Sequence, residues 1–144
     1  MIETYIRKRL KEKKLLLMTH IVLGYPDLST SLAMVETMVA AGVDLMELQI
    51  PFSEPIADGP VILKANQEAL AAGITVADCF KVAQKAAGTF DIPFLFMTYC
   101  NIPYRYGMAR FARDMAAAGL KGAIVPDLPP EEADDYRAAM AAEK

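Results

Sequence analysis

Apolar residues recur every third or fourth position in some stretches of this chain and form short unbroken runs in others, and the two patterns alternate. Over residues 2–13, Ile2, Ile6 and Leu10 stand four apart among charged neighbours, the spacing of one helix face. The run LLLMTHIVLG then ends at Gly24 with YPD behind it as turn chemistry. It predicts a strand buried on both faces, as parallel strands are. From Asp27 to Gly42, Leu28, Leu32, Val35 and Val39 mark a second helical face. Either Asp27 or Ser29 is placed to cap its start, and Gly42 to stop it.

The alternation continues. VDLMELQI (43–50) is a second strand-like run, and a proline-rich loop leads from it into a short helix from Pro60 to near Gly73. The segment 75–88 opens with Thr75 and Asp78 at capping-box spacing and carries Phe80, Ala83 and Ala87 on its apolar face. IPFLFMTY (92–99) predicts a third strand, and residues 104–118 a helix closed by Gly119. KGAIVPD (121–127) predicts a fourth strand, and 129–144 a last helix with acids in its first turn.

The turn AGVD at 41–44 returns loosely as AGLKG at 118–122, two strand–helix units further on. This order means parallel βαβ units, wound right-handed into either a doubly wound sheet or a (β/α)8 barrel. No GxGxxG follows the first strand and no GxxxxGK[ST] occurs, which weakens the dinucleotide and P-loop readings. Four units are half of a TIM barrel of about 250 residues. The helical pattern also reaches Lys144 without a C-terminal cap. The expectation is an α/β chain forming one domain over residues 1–144, the N-terminal half of a longer barrel: its first four βα units plus an N-terminal helix.

Composition narrows the class. With 54% hydrophobic and 23% charged residues among 144, the chain is globular and not disordered. Its 15 basic and 18 acidic residues, with no basic block beyond the first fifteen positions, argue against a nucleic-acid partner. Cys79 and Cys100 lack metal-ligand spacing and read as reduced thiols of a cytoplasmic protein. The nine methionines read as core filler. KEKKLLLMTHIVLG mimics a signal peptide, but Glu3 and Glu12 interrupt its basic part, Thr19 and His20 its apolar part, and no small-residue cleavage site follows. It also falls short of the roughly 20 apolar residues of a membrane span. No membrane contact is expected.

One segment carries the chemistry. ELQIPFSEPIADGP (47–60) sets Glu47 inside an apolar run and Asp58 in a loop punctuated by prolines. In a barrel, functional groups gather on the βα loops, here His20 to Asp27, Glu47 to Pro60, Tyr99 to Tyr104 and Pro126 to Pro130. If Val43 and Leu45 point inward, so does Glu47. An interior glutamate costs several kcal/mol unless it is paired or takes up a proton, so it is expected to exchange its proton near neutral pH, as general acid–base catalysis requires. Asp58 is placed to return across the barrel mouth as a second carboxylate with a different role. Each residue has a plainer alternative. Glu47 pairs with a surface lysine, His20 is a packed residue instead of an acid, base or ligand, and Tyr99 and Asn101 close a strand instead of lining a pocket.

The same segment closely resembles the signature of the tryptophan synthase alpha chain family, E-L-G-[IV]-P-F-S-D-P-x-A-D-G-P. VLGYPD resembles the family's first-strand loop, MTYCN its third and VPDLPPEE its fourth. The resemblance runs from about residue 3 onward, as the N-terminal half of that barrel. It implies a lyase of tryptophan biosynthesis that cleaves indole-3-glycerol phosphate to indole and glyceraldehyde 3-phosphate by a retro-aldol reaction. By it, Glu47 shuttles a proton between the indole C3 and the glycerol hydroxyl, and Asp58 hydrogen-bonds the indole N–H and stabilises the developing positive charge. Tyr99, Met97 and Ile124 match positions around the indole pocket, and His20, where the family commonly has an aromatic, completes the substrate-binding set.

The resemblance implies no metal and no organic cofactor, since the protonated indole is its own electron sink. Pyridoxal phosphate is expected only in the partner beta chain, which receives the indole and with which the family forms an alpha2beta2 tetramer. The loop after Glu47 and the NIPY loop (101–104) lie toward that partner. Departures from the pattern are Gln49 for a glycine, Glu54 for an aspartate and Thr19 for a proline. Other readings are a free-standing indole-releasing lyase without a beta chain, and a catalytically silent half-barrel. The loop 51–58, with few backbone partners, is expected to be mobile until substrate or partner arrives. The 144-residue chain alone is expected to associate through open strand edges. It is also expected to be inactive, because such barrels build their phosphate grip after strands seven and eight.

Overall fold

A computed structural model describes residues 2–143. The chain opens with α1 (Ile2–Arg9), β1 (Met18–Val22), α2 (Leu28–Ala40) and β2 (Leu45–Gln49). Two helices follow in succession, α3 (Pro60–Ala71) and α4 (Val76–Thr89), before β3 (Phe94–Met97). Then come α5 (Asn101–Tyr106), α6 (Met108–Ala117), β4 (Ala123–Ile124), a 3-10 turn (Pro130–Glu132) and α7 (Asp134–Ala142). None of the helices among the described residues is long and apolar enough to cross a membrane.

The four strands pair in parallel, in the order β1-β2-β3-β4. A doubly wound sheet reverses its order at a switch point and carries helices on both faces; strands laid down strictly in sequence are the wall of a (β/α)8 barrel. The packing agrees. Val35 of α2, Val82 and Ala86 of α4, and Phe111 and Met115 of α6 share one core with Ile21, Met46, Leu48, Phe94 and Phe96 from the strands. Aromatic rings lock this layer: Phe80 meets Phe96 edge-on at 5.0 Å and Phe111 at 5.6 Å. Alternation along each strand then turns the intervening residues to the opposite face, which in a closed barrel is the interior. Those residues are Met18, His20, Val22, Leu45, Glu47, Gln49, Leu95, Met97 and Ile124.

At the strands' N-terminal ends, one buried acid holds α1 to the sheet. The Asp44 carboxylate accepts from Lys13 Nζ at 2.8 Å, Arg9 Nη2 at 2.9 Å and the Leu17 N–H at 3.0 Å, while the Tyr5 hydroxyl donates to the Asp44 carbonyl at 3.1 Å. Burial pushes this carboxyl up, but the donors outweigh it and hold it down at about 2.

Some boundaries differ from the sequence pattern. α1 stops at Arg9 instead of 13, because residues 11–13 close tight turns onto Lys8 and Arg9 that carry Lys13 back to Asp44. The first strand starts at Met18 and is not buried along its length: Leu15 is 84% exposed and Met18 44%, at the open edge of the sheet, whereas Val22 is buried with Ala65 and Ala69 of α3. The helix expected over 104–118 is two, and the first begins earlier, at Asn101. Gly107, at φ +90°, breaks between them in a conformation that other residues rarely adopt. The last helix starts only at Asp134, after the 3-10 turn, and its expected end at Lys144 lies outside the described residues. Asp27, not Ser29, caps α2, accepting from the Thr30 N–H at 2.8 Å. The Thr75–Asp78 capping box forms as the spacing indicates. Both cysteines are free thiols.

Candidate active site

The inner face of the sheet gathers most of the residues singled out above. In one cross-strand row Glu47 on β2 lies between His20 on β1 and Leu95 on β3; in the next, Gln49 lies between Val22 and Met97, with Ile124 on β4 beyond Met97. Tyr99 follows Met97 by two positions and is fully buried. Glu47, His20 and Ile124 are half-buried, at the uncovered face. Asn101, by contrast, is exposed as the first residue of α5.

Asp58 reaches this face from the loop after β2. Three prolines (51, 55 and 60) limit the loop's freedom, and a tight turn bonds the Asp58 N–H to the Pro55 carbonyl at 3.0 Å. Tyr99 then anchors the segment from below. Its hydroxyl accepts from the Ala57 N–H at 3.0 Å and donates to Asp58 Oδ2 at 3.1 Å, and its ring stacks on Phe52 at 5.0 Å. Burial, with the Asp58 carboxylate alongside, holds the Tyr99 phenol above its ordinary value. The Phe52 N–H donates to Asn66 Oδ1 of α3 at 2.9 Å. The loop is therefore pinned at both ends, against the expectation that its backbone has few partners. At its tip, where the Ile56 N–H donates to the Glu54 carbonyl at 2.9 Å, the Ile56 side chain is 82% exposed.

Gln49 is the residue whose part the sequence pattern does not disclose; there it marks only a departure from a family signature. Fully buried, it meets His20 Nε2 through Oε1 at 2.7 Å and donates from Nε2 to Asp58 Oδ2 at 2.8 Å. Asn66 and Asp127 are equally silent in the sequence. Asn66 is buried on the inner side of α3 beside Ala65 and Ala69, and Asp127 accepts the Cys100 N–H at 2.8 Å, tying the end of β3 to the loop after β4. A signal for Gln49 did exist: it stands two residues from Glu47, on the same strand face. Glu47 itself takes no part in the cluster of His20, Gln49, Asp58 and Tyr99.

The loop after β1 needs its glycine. Gly24 has φ +83°, its N–H donates to Ser31 Oγ at 2.9 Å, and a Cβ there would lie 2.5 Å from Ile74. The arrangement thus offers one carboxylate clamped by two donors, a second one with no side-chain partner among the described residues, and apolar walls from Leu45, Met97 and Ile124. Among the described residues, no three His, Cys, Asp or Glu side chains converge as metal ligands would.

Known proteins share this architecture. Residues 6–144 match the family model described as the tryptophan synthase alpha chain. The tryptophan synthase alpha chain of Syntrophotalea carbinolica is 71% identical over 140 residues, covering 97% of this chain and 55% of that one. The one from Desulforapulum autotrophicum is 65% identical, with the same two shares. Among solved structures, the tryptophan synthase subunit alpha of Legionella pneumophila superposes with a TM-score of 0.93 at 35% identity, over 99% of this chain and 55% of that one. A ligand-free tryptophan synthase structure from M. tuberculosis gives 0.90 at 36% identity, over 98% and 56%. The chain spans about half the length of the curated relatives it matches. Identity this high across nearly every described element, on a sheet laid down in barrel order, leaves one conclusion: the chain belongs to the tryptophan synthase alpha chain family.

Proposed function

We propose that Glu47 and Asp58 are the catalytic carboxylates of a carbon–carbon lyase that cleaves indole-3-glycerol phosphate to indole and glyceraldehyde 3-phosphate. The observation that carries this reading is the contrast between them. Asp58 is fixed by Gln49 and Tyr99, whereas Glu47, on the same sheet face, has no side-chain partner among the described residues. Two acids in environments so different suit two different tasks.

In the retro-aldol scheme, Glu47 protonates indole C3, and the positive charge this creates spreads onto the ring nitrogen. Asp58 accepts a hydrogen bond from that N–H and stabilises the charge as it develops. The glycerol hydroxyl next to the ring then gives up its proton to Glu47. The bond from C3 to the side chain breaks, its electrons restore the aromatic ring, and the hydroxyl carbon leaves as the aldehyde. Glu47 ends in its starting state, and proton transfer of this kind contributes typically ~10²–10⁴-fold in rate. The ring itself is the electron sink, so the scheme uses no metal or organic cofactor. Met97, Ile124 and Tyr99 form the wall against which the indole ring lies, with His20 at its edge.

The same reading assigns a tryptophan synthase beta chain as partner and the cytoplasm as location. Ile56 on the loop after β2 and Tyr104 on α5, 82% and 72% exposed, offer apolar surface on the two segments that the family resemblance turns toward that partner. The test is indole release from indole-3-glycerol phosphate by the complete natural chain carrying residues 1–144, with and without a beta chain. Release that the beta chain enhances is expected. No release under either condition overturns the lyase reading.

A further inference from the structure

We infer that Gln49 is a positioning residue for Asp58: its amide fixes which carboxylate oxygen Asp58 offers to a ligand and commits the Nε2–H of His20 to the protein. The inference rests on the reading of Asp58 as a group that meets the substrate.

The direction of every hydrogen bond in the cluster follows from backbone groups whose roles are not adjustable. Asn66 Nδ2 donates to the Ile62 carbonyl at 2.9 Å and its Oδ1 accepts the Phe52 N–H at 2.9 Å, so the Asn66 amide cannot be reversed. Its Oδ1 therefore faces Gln49 as an acceptor, at 3.5 Å, beside a second acceptor, Asp58 Oδ2, at 2.8 Å. Two acceptors on one side demand the amide nitrogen of Gln49 there, which turns Oε1 toward His20. At 2.7 Å from Oε1, the His20 Nε2 must carry its hydrogen. The Tyr99 hydroxyl accepts from the Ala57 N–H, which leaves its single proton for Asp58 Oδ2. The chain of donors thus runs from His20 through Gln49 to Asp58, and Tyr99 donates to the same oxygen.

Two consequences follow. With Oδ2 held by two donors, Oδ1 is the Asp58 atom presented to a ligand, in an orientation that Gln49 sets. His20, with Nε2–H spent on Gln49, has only Nδ1 and its ring face for a substrate. A residue such as glycine at position 49 has neither effect. Gln49 never touches the reacting atoms; it acts through Asp58.

The experiment uses the complete natural chain and two variants, Gln49→Leu, which keeps the bulk and deletes the hydrogen bonds to His20, Asp58 and Asn66, and Gln49→Glu, which replaces the donor facing Asp58 by an acceptor. Titratable groups around position 49 are His20 from β1, Glu47 on β2, Asp58 on the loop and Tyr99 at the end of β3, with Asp127 beyond it; α3 contributes the uncharged Asn66. All of these are common to both variants, so a difference between their pH profiles belongs to position 49. Gln49→Leu is expected to lower kcat by about 10- to 100-fold at every pH, the scale of a displaced catalytic group, with KM little changed. Gln49→Glu is expected to be impaired most at high pH and to recover toward wild type as the pH falls, because the introduced carboxyl, once protonated, again donates to Asp58. Near-wild-type kcat in both variants, or parallel pH profiles, overturns the inference. A wild type that releases no indole rejects the lyase reading instead, and a second measurement stands apart from turnover and from variant folding. His20 is the single histidine of residues 1–144, and in the complete chain the ring signals that vanish in His20→Asn are its own. A slowly exchanging proton on Nε2 is expected, and a ring protonated only on Nδ1 overturns the assigned direction.

Discussion

Replacing Asp44 by asparagine removes one charge and almost no volume from the contact that holds α1 to the sheet. The side chain is 1% exposed and accepts four hydrogen bonds, two from Arg9 and one each from Lys13 and the Leu17 N–H. Hydrogen bonds to charged groups contribute about 1.5–3 kcal/mol each against about 1 for neutral ones. Breaking a fully buried ion pair costs about 3–5 kcal/mol, because the abandoned charge stays dry. Here Arg9 and Lys13 keep 30% and 37% of their surface and rehydrate, so the loss is smaller. Asp44→Asn should therefore cost about 2 kcal/mol, or a Tm lower by about 4–8 °C in a domain of this class. The pH dependence has a definite sign. The carboxyl is held at about 2 against an ordinary 3.8, so its stabilisation is complete above 3.8 and disappears as the pH falls through about 2. Thermal unfolding of both proteins, followed by circular dichroism from pH 7 to pH 2, should show a constant gap at neutral pH that closes in acid. A gap under about 2 °C at pH 7, or one that persists undiminished at pH 2, refutes this description of the contact.

Three further outcomes are expected. Asp58→Asn keeps an oxygen for Gln49 and Tyr99 yet loses the charge, so kcat/KM should fall by about 10²–10³-fold and indole binding should weaken; an unchanged indole affinity contradicts a role on the ring N–H. Asn66→Ala leaves the Phe52 N–H without its partner, which should cost about 1–3 kcal/mol and open the loop 52–58 to proteolysis; wild-type resistance to cleavage argues against the pinned loop. Residues 1–144 expressed alone present β1 and β4 as open edges, and light scattering should find dimers or larger species; a monodisperse monomer overturns that expectation.

The order of elements and the position of Glu47 were legible because both are written in local periodicity. Helix caps were readable for the same reason, as Thr75 and Asp78 show. What escaped depends on partners distant in sequence or on conformation. Gly107 splits a helix whose apolar spacing runs straight through it, since positive φ leaves no mark on periodicity. Leu15 and Leu17 extend an apolar run that promises burial, yet which residues an edge strand exposes is decided by its missing neighbour. Asp44 reads as a turn residue until Arg9 and Lys13 fold back onto it. Gln49 finds Asp58 nine residues away and Asn66 seventeen away only once the loop and α3 have folded over the sheet.

Turnover of Glu47→Gln in the complete natural chain tests most directly whether the Glu47 carboxylate moves the proton. Glutamine keeps the shape, and Glu47 has no place in the hydrogen-bonded cluster that builds the site, so Tm should stay at the wild-type value. With saturating indole-3-glycerol phosphate, indole release should fall by ~10²-fold or more. A variant that folds normally and keeps more than about a tenth of wild-type turnover would show that Glu47 is not the catalytic acid–base.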